Sequence, residues 1–312
     1  MKDKFSGIAM PLIAAMIWGV SFPAQAICIK YMTPFLINAI RSLLAAAVLA
    51  LLVFVLVKMN KIEIGKWKDL ILGSLACGVC LFLAVNLQQI GIADTDSGKA
   101  GFITALYTVL IPVIGIFIGI KTTKKVWSAV VLAVIGLYFL CVKNDFTIQP
   151  SDMTLMACAI FFAVQMTFIN KFITKVDGIA LSCGQFLVVG IISLIVSFFL
   201  EDWGMQDIGS ALPALLYIAL FSSCIAYTLQ IISYKKGDPT VLALLFSLES
   251  VFAVIAGAIM LGEKLSVREL IGCVVMFAAV ILAETPLQAE KVRAIGQKAN
   301  IVKRIKERRS RK

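Results

Sequence analysis

The apolar run from Pro239 to Leu261 carries one carboxylate near its middle, Glu249, in the stretch LFSLESVFA. As a helix crossing a bilayer, the run rises 1.5 Å per residue, which puts Glu249 about 15 Å deep, close to the midplane. Charge at that depth costs at least a few kcal/mol, and an ionisable group there marks function by default. It must pair, face water or take up a proton. Ala253 and Gly257 share its helical stripe and suit close contact with another helix, so Glu249 is expected to face the bundle interior. Two uses stay open: a structural hydrogen bond to a neighbouring helix, or a place on a substrate pathway, with or without a coupling proton.

Arg41 is the second intramembrane charge, seven residues into the run from Pro34 to Val57, on a stripe with Asn38 and Ala45. It could form an ion pair with Glu249, or snorkel outward along its aliphatic stem. Trp18, Tyr107, Gln165, Tyr227 and Gln230 lie at compatible depths and would suit a mostly apolar pocket with a few polar groups. Core packing or interface anchoring is the competing use for each of them.

Other chemistry finds little support. There is no histidine, which removes the commonest general base and metal ligand. Cys77 and Cys80 form a CxxC, but no second CxxC accompanies it and both cysteines are flanked by apolar residues; packing explains them. No nucleotide-binding or hydrolase motif stands in a plausible context. The expectation is neither an enzyme nor a protein with a cofactor or metal.

These residues must be held by helices in lipid. Of 312 residues 61% are hydrophobic and 15% charged, with a mean hydropathy of +0.98, too apolar for a water-facing surface. Ten runs are long enough to span, at approximately Gly7 to Ala26, Pro34 to Val57, Lys68 to Ile90, Ser97 to Ile120, Val126 to Val142, Asp152 to Asn170, Gly178 to Leu200, Ser210 to Tyr234, Pro239 to Leu261 and Val267 to Ala283. Lipid leaves backbone groups no external partners, and continuous runs without period-2 alternation choose helices over a barrel. The predicted fold class is an all-α integral membrane protein.

The net charge of +11 is mostly topology. With the N-terminus inside, thirteen Lys or Arg outside the tail fall on the inner side, against five on the outer, which places both termini in the cytoplasm. The tail after Pro286 adds ten basic residues, with Val292, Ile295, Ala299 and Val302 at helical spacing. A surface helix on anionic lipid and a disordered tail both fit, and neither calls for nucleic acid. Ala24-Gln25-Ala26 after an apolar stretch resembles a signal-peptide cleavage site, but the length of the run, Trp18, Pro23 and a counterpart in the second half favour a retained span.

That counterpart belongs to an internal repeat. Shifted by 143 residues, Lys121 to Leu140 lies over the segment beginning at Lys264; at 142, Ala84, Leu87, Gln88 and Asp96 fall on Ala226, Leu229, Gln230 and Asp238. The first span falls on the sixth, Arg41 on Gln185, and Glu249 on Leu106. The expected units are residues 1–144 and 145–285, followed by a basic cytoplasmic tail, 286–312. Five helices per unit is odd, so the second copy is inverted, an architecture recurrent in secondary transporters with a site near the midplane.

IWGVSF in the first span, INAIRSLLAA in the second, GFITALYTVLIPVIG in the fourth and LFSLESVFAVIAGAIMLGEKLS in the ninth together resemble the EamA family of the drug/metabolite transporter superfamily. The resemblance covers the chain to about Glu284. It implies a ten-helix inner-membrane carrier of small organic metabolites, amino acids or related compounds, with export as the direction. Where the family often has Glu-Pro in the ninth helix, this chain has Glu249-Ser250, which puts a proline bend there in doubt. A non-transporting membrane scaffold or sensor is the rival; a polar cavity reaching the midplane would favour the carrier.

Overall fold

The computed structural model describes residues 2–95, 97–117, 119, 122–141, 149–203, 207–235, 237–261 and 266–283. The expectations for the tail 286–312, the junction at 144/145 and Asp96, Lys121, Lys143, Lys236 and Lys264 lie outside the described residues.

The described chain is helical throughout its regular elements: α1 (Lys2–Cys28), α2 (Pro34–Lys58), α3 (Trp67–Ala93), α4 (Ser97–Ala105), α5 (Tyr107–Phe117), α6 (Lys124–Cys141), α7 (Pro150–Phe172), α8 (Gly178–Leu200), α9 (Ile208–Tyr217), a π-helical stretch (Ile218–Ala226), α10 (Tyr227–Ser233), α11 (Pro239–Phe246), α12 (Glu249–Leu261), and α13 over 267–283. Eight candidate membrane spans, single or broken, result: Ile8–Cys28, Pro34–Lys58, Trp67–Ala93, Ser97–Phe117, Pro150–Phe172, Gly178–Leu200, Ile208–Ser233 and Pro239–Met260. The other two expected spans are helices, α6 and α13, but shorter apolar ones. α6 opens on Lys124 and Lys125, which trims its apolar length.

Small residues let the helices approach closely, as expected where lipid removes any hydrophobic drive between them. α2 packs along α8, α3 along α7 and α8, and α1 along α12. At the last crossing a Cβ on Gly19 would lie 2.7 Å from the Phe252 carbonyl carbon; at another, a Cβ on Gly190 would lie 3.0 Å from Leu43 N. Buried polar side chains cross-link the same packing: Asn38 Nδ2 donates to Asn86 Oδ1 (2.9 Å), and Asn86 Nδ2 to Ser193 Oγ (3.0 Å), joining α2, α3 and α8.

Loop contacts define two ends of the bundle. At the lysine end, Gly65 pairs with Val176 in an isolated antiparallel bridge and has φ of 88°. A Cβ there would also lie 2.5 Å from Lys175 O, so only glycine fits. Lys175 pairs with Asp69 (3.6 Å) and Lys235 with Asp177 (3.8 Å) at this end. At the opposite end the Glu201 carboxylate accepts from Phe35 N (2.8 Å) and Leu36 N (3.0 Å), capping the start of α2. Lys99 meets Asp152 at 2.7 Å, tying α4 to α7.

Candidate functional site

Two spans break in mid-membrane, and both breaks face one cavity. The first is at Leu106, between α4 and α5, where Leu106 N donates to Ile103 O and Val109 N to Leu106 O. The second is at Ser247 and Leu248, between α11 and α12. No proline makes this second break. Instead the Ser247 hydroxyl donates to Leu244 O (2.8 Å), and Ser247 O accepts both the Ser250 hydroxyl (2.7 Å) and Ser250 N (3.2 Å), so serine hydroxyls bond carbonyls at the interruption. The Glu249-Ser250 departure thus does not straighten the helix. Glu249 becomes the first residue of α12 and Tyr107 the first of α5. A third irregularity, the π-helical stretch, brings Ser222 to the same cavity, with Tyr227 and Gln230 just beyond it in α10.

The cavity lies among α1, α2, α3, α4, α5, α7, the π-helical stretch, α10 and α12. Aromatic rings flank it in two groups: the Trp18 ring lies 4.9 Å from Tyr227 and 5.5 Å from Phe246, and Tyr107 meets Phe162 edge-on at 6.4 Å. Two polar groupings are set into it. In one, the Tyr107 hydroxyl donates to Glu249 Oε1 at 3.1 Å. In the other, Arg41 Nη1 donates to Gln25 Oε1 at 3.3 Å, near the amide of Gln88, which reaches Thr104 Oγ1 at 3.4 Å.

Of the residues singled out from sequence, Glu249, Trp18, Tyr107, Tyr227, Gln230 and Arg41 all line this cavity. Gln165 does not. It lies on another side of α7 from Phe162 and Met166, and its Nε2 donates to Gln185 Oε1 at 3.1 Å. Arg41 does not snorkel, being 2% exposed. Nor does an ion pair join it to Glu249 among the described residues; the two charges look into one cavity from separate helices. Trp18 is buried rather than lipid-facing, at 7% exposed.

Several cavity residues were not picked out from sequence: Ser21, Phe22, Gln25, Thr104, Phe162, Met166 and Ser222. Gln25 stands seven residues after Trp18, on the same face, and that spacing was the available signal. Gln88 was visible only as the repeat counterpart of Gln230.

Open hydrogen-bonding capacity converges here. Both amide atoms of Gln230, Trp18 Nε1 and Arg41 Nε are buried without a hydrogen-bond partner. A buried polar group left unpaired costs about 1–3 kcal/mol, so the arrangement suits a polar guest that completes these bonds. Among the described residues no group of three His, Cys, Asp or Glu could hold a metal ion; Cys77 and Cys80 are free, one buried and one half-buried.

The EamA-like transporter family matches the chain twice, over residues 5–142 and 149–285. The chain belongs to that family. It is a multi-pass membrane protein of a transporter family, similar at 29% identity to an uncharacterised transporter of Archaeoglobus fulgidus over 90% of this chain and 86% of the relative. The uncharacterised inner membrane transporter YedA of Escherichia coli is 25% identical over 88% and 90%, and the chloroplastic WAT1-related protein At3g02690 of Arabidopsis thaliana 27% identical over 86% and 67%. A crystal structure shares this fold with a TM-score of 0.73 at 17% identity, covering 92% of this chain and 98% of the other.

Proposed function

We propose that this EamA-like protein is a secondary-active or facilitative carrier that exports a small zwitterionic metabolite, an amino acid or a related compound. The observation that carries the reading is the cavity itself: Arg41, a cation, and Glu249, a carboxyl group, line it without pairing with each other. A guest bearing a carboxylate and an ammonium group would meet Arg41 with the first and Glu249 with the second, while its apolar part lies on Trp18, Tyr227 and Phe162. A polar cavity at mid-span supports a carrier over a scaffold or sensor.

Alternating access would come from two inverted five-helix halves, residues 1–144 and 145–285, with α6 and α13 as the fifth and tenth spans. Three observations support this division. The family matches each half separately. The two mid-span breaks fall at corresponding places, Leu106 and Leu248, as discontinuous helices do around the sites of inverted-repeat carriers. Repeat-related residues also share the cavity wall: Gln88 with Gln230, and Trp18 with Phe162. The lysine end would face the cytoplasm by the positive-inside rule, with both termini there, in an inner-membrane setting.

Counterflow in proteoliposomes tests the reading. Vesicles loaded with individual unlabelled metabolites should accumulate labelled zwitterionic amino acids, and neither the matching amines nor the matching acids. Exchange of only singly charged or neutral compounds would overturn it.

A further inference from the structure

A second cavity lies between the central one and the lysine end. Ile111 and Gly115 of α5, Met166, Thr167 and Asn170 of α7, Tyr234, and Pro239 and Thr240 at the start of α11 form its wall. Met166 belongs to both cavities and is 2% exposed, so its thioether chain is the partition between them. The Trp18 group of rings continues past this partition: Phe246, in contact with Trp18, stacks on Tyr234 with ring centroids 6.4 Å apart.

The chemistry of the two cavities differs. The central one contains Arg41 and Glu249, whereas among the described residues the second has no charged residue in its wall. Its polar groups are neutral: two threonines, the Asn170 amide and the Tyr234 hydroxyl. Tyr234 is 4% exposed, and its hydroxyl is buried without a hydrogen-bond partner. A buried hydroxyl with no partner costs stability unless a guest or water satisfies it. The Thr167 hydroxyl spends its proton on Ala163 O at 2.9 Å, so it could serve Tyr234 only as an acceptor, and no such bond is made.

We infer that this cavity is a second binding station on the route between the central site and the lysine end, holding uncharged hydrogen-bonding groups of a polar solute through the Tyr234 hydroxyl and the Asn170 amide. The inference rests on the carrier reading above. A zwitterion that leaves Arg41 and Glu249 for this station loses both counter-charges, and without charged groups in the wall it must bring water with it. The station therefore holds cargo more weakly than the centre and connects to solvent at the lysine end. Met166 separates strong from weak holding, and its flexible, unbranched side chain can swing aside without breaking a hydrogen bond.

The test is one-sided thiol labelling of the full-length chain with its native cysteines replaced. Asn170→Cys and Thr240→Cys, in oriented vesicles, are exposed to a membrane-impermeant methanethiosulfonate from each side in turn. Both should label from the lysine end and not from the opposite end, while Ile169→Cys, on the packed side of α7, should stay inert. Should the cysteine-free chain fail to fold, the same substitutions are made in the native chain, with native labelling subtracted. Inertness of Asn170→Cys and Thr240→Cys from both ends, or labelling from the opposite end alone, would overturn the station. Labelling requires no metabolite, so a silent counterflow panel would count against the carrier reading and leave this result standing. In a working counterflow assay Tyr234→Phe should raise the KM for exchange at the lysine end only; an equal change at both ends would also overturn the assignment.

Discussion

The Tyr107 hydroxyl donates to Glu249 Oε1 at 3.1 Å, and the two residues are 142 positions apart in the chain. That separation is one of the offsets at which the two halves of the sequence align, and each residue opens a helix directly after a mid-span break. On the proposed inverted repeat Glu249 corresponds to Leu106, the residue before Tyr107, so the bond joins the two halves beside their breaks. A movement of one half against the other would act on this bond directly.

If Glu249 carries a coupled proton, Glu249→Gln should preserve the shape of the cavity and abolish the dependence of transport on a pH gradient in reconstituted vesicles. Gradient dependence that survives the substitution would sink the coupling role. Tyr107→Phe keeps the carboxylate and removes its donor; leaving that acceptor unpaired should lower stability in detergent by about 1–3 kcal/mol, measured by thermal unfolding.

Arg41→Gln should weaken transport of a carboxylate-bearing cargo by about tenfold or more in KM, the equivalent of about 1.4 kcal/mol, and Arg41→Lys should restore part of it. A neutral amide analogue of the cargo should be insensitive to the substitution. Equal losses for cargo and amide would mean that Arg41 supports the fold rather than reading the carboxylate.

Gly19→Ala tests the α1–α12 crossing. The added Cβ would lie 2.7 Å from the Phe252 carbonyl carbon, a backbone atom that cannot rotate away. Overpacking of this kind costs about 1–3 kcal/mol; the thermal midpoint should fall, and transport with it, because α12 carries Glu249. An unchanged midpoint would mean that the crossing relaxes freely.

Asn86→Leu cuts the link among α2, α3 and α8. Asn38 Nδ2 keeps its bond to Val85 O, but Ser193 Oγ loses its donor. The expected loss is about 1–3 kcal/mol, read in the same unfolding assay. A second substitution, Ser193→Ala, should then add little, since its partner is already gone.

Much of this was legible in the residues. The apolar runs dictated membrane helices, because a chain in lipid has no other means of satisfying its backbone. Glu249 stood out by its isolated position and lines the cavity; offset alignment proposed two halves, and the family matches the chain over residues 5–142 and 149–285. The aromatic residues Trp18, Tyr107 and Tyr227 were also recognisable as cavity material by type and depth.

Only the tertiary structure decided which faces meet. Gln165 and Phe162 are three residues apart on one helix, yet one pairs with Gln185 and the other lines the cavity. Arg41 could have snorkelled or paired with Glu249, and it is instead buried with its guanidinium on Gln25 of α1. The helix break before Glu249 arises from serine hydroxyls on neighbouring carbonyls, without the proline that would have announced it. Hydropathy and helical period are local properties carried by each segment alone. Crossing positions and the cavities between helices depend on where residues far apart in the chain come to lie against each other, and no single segment contains that information.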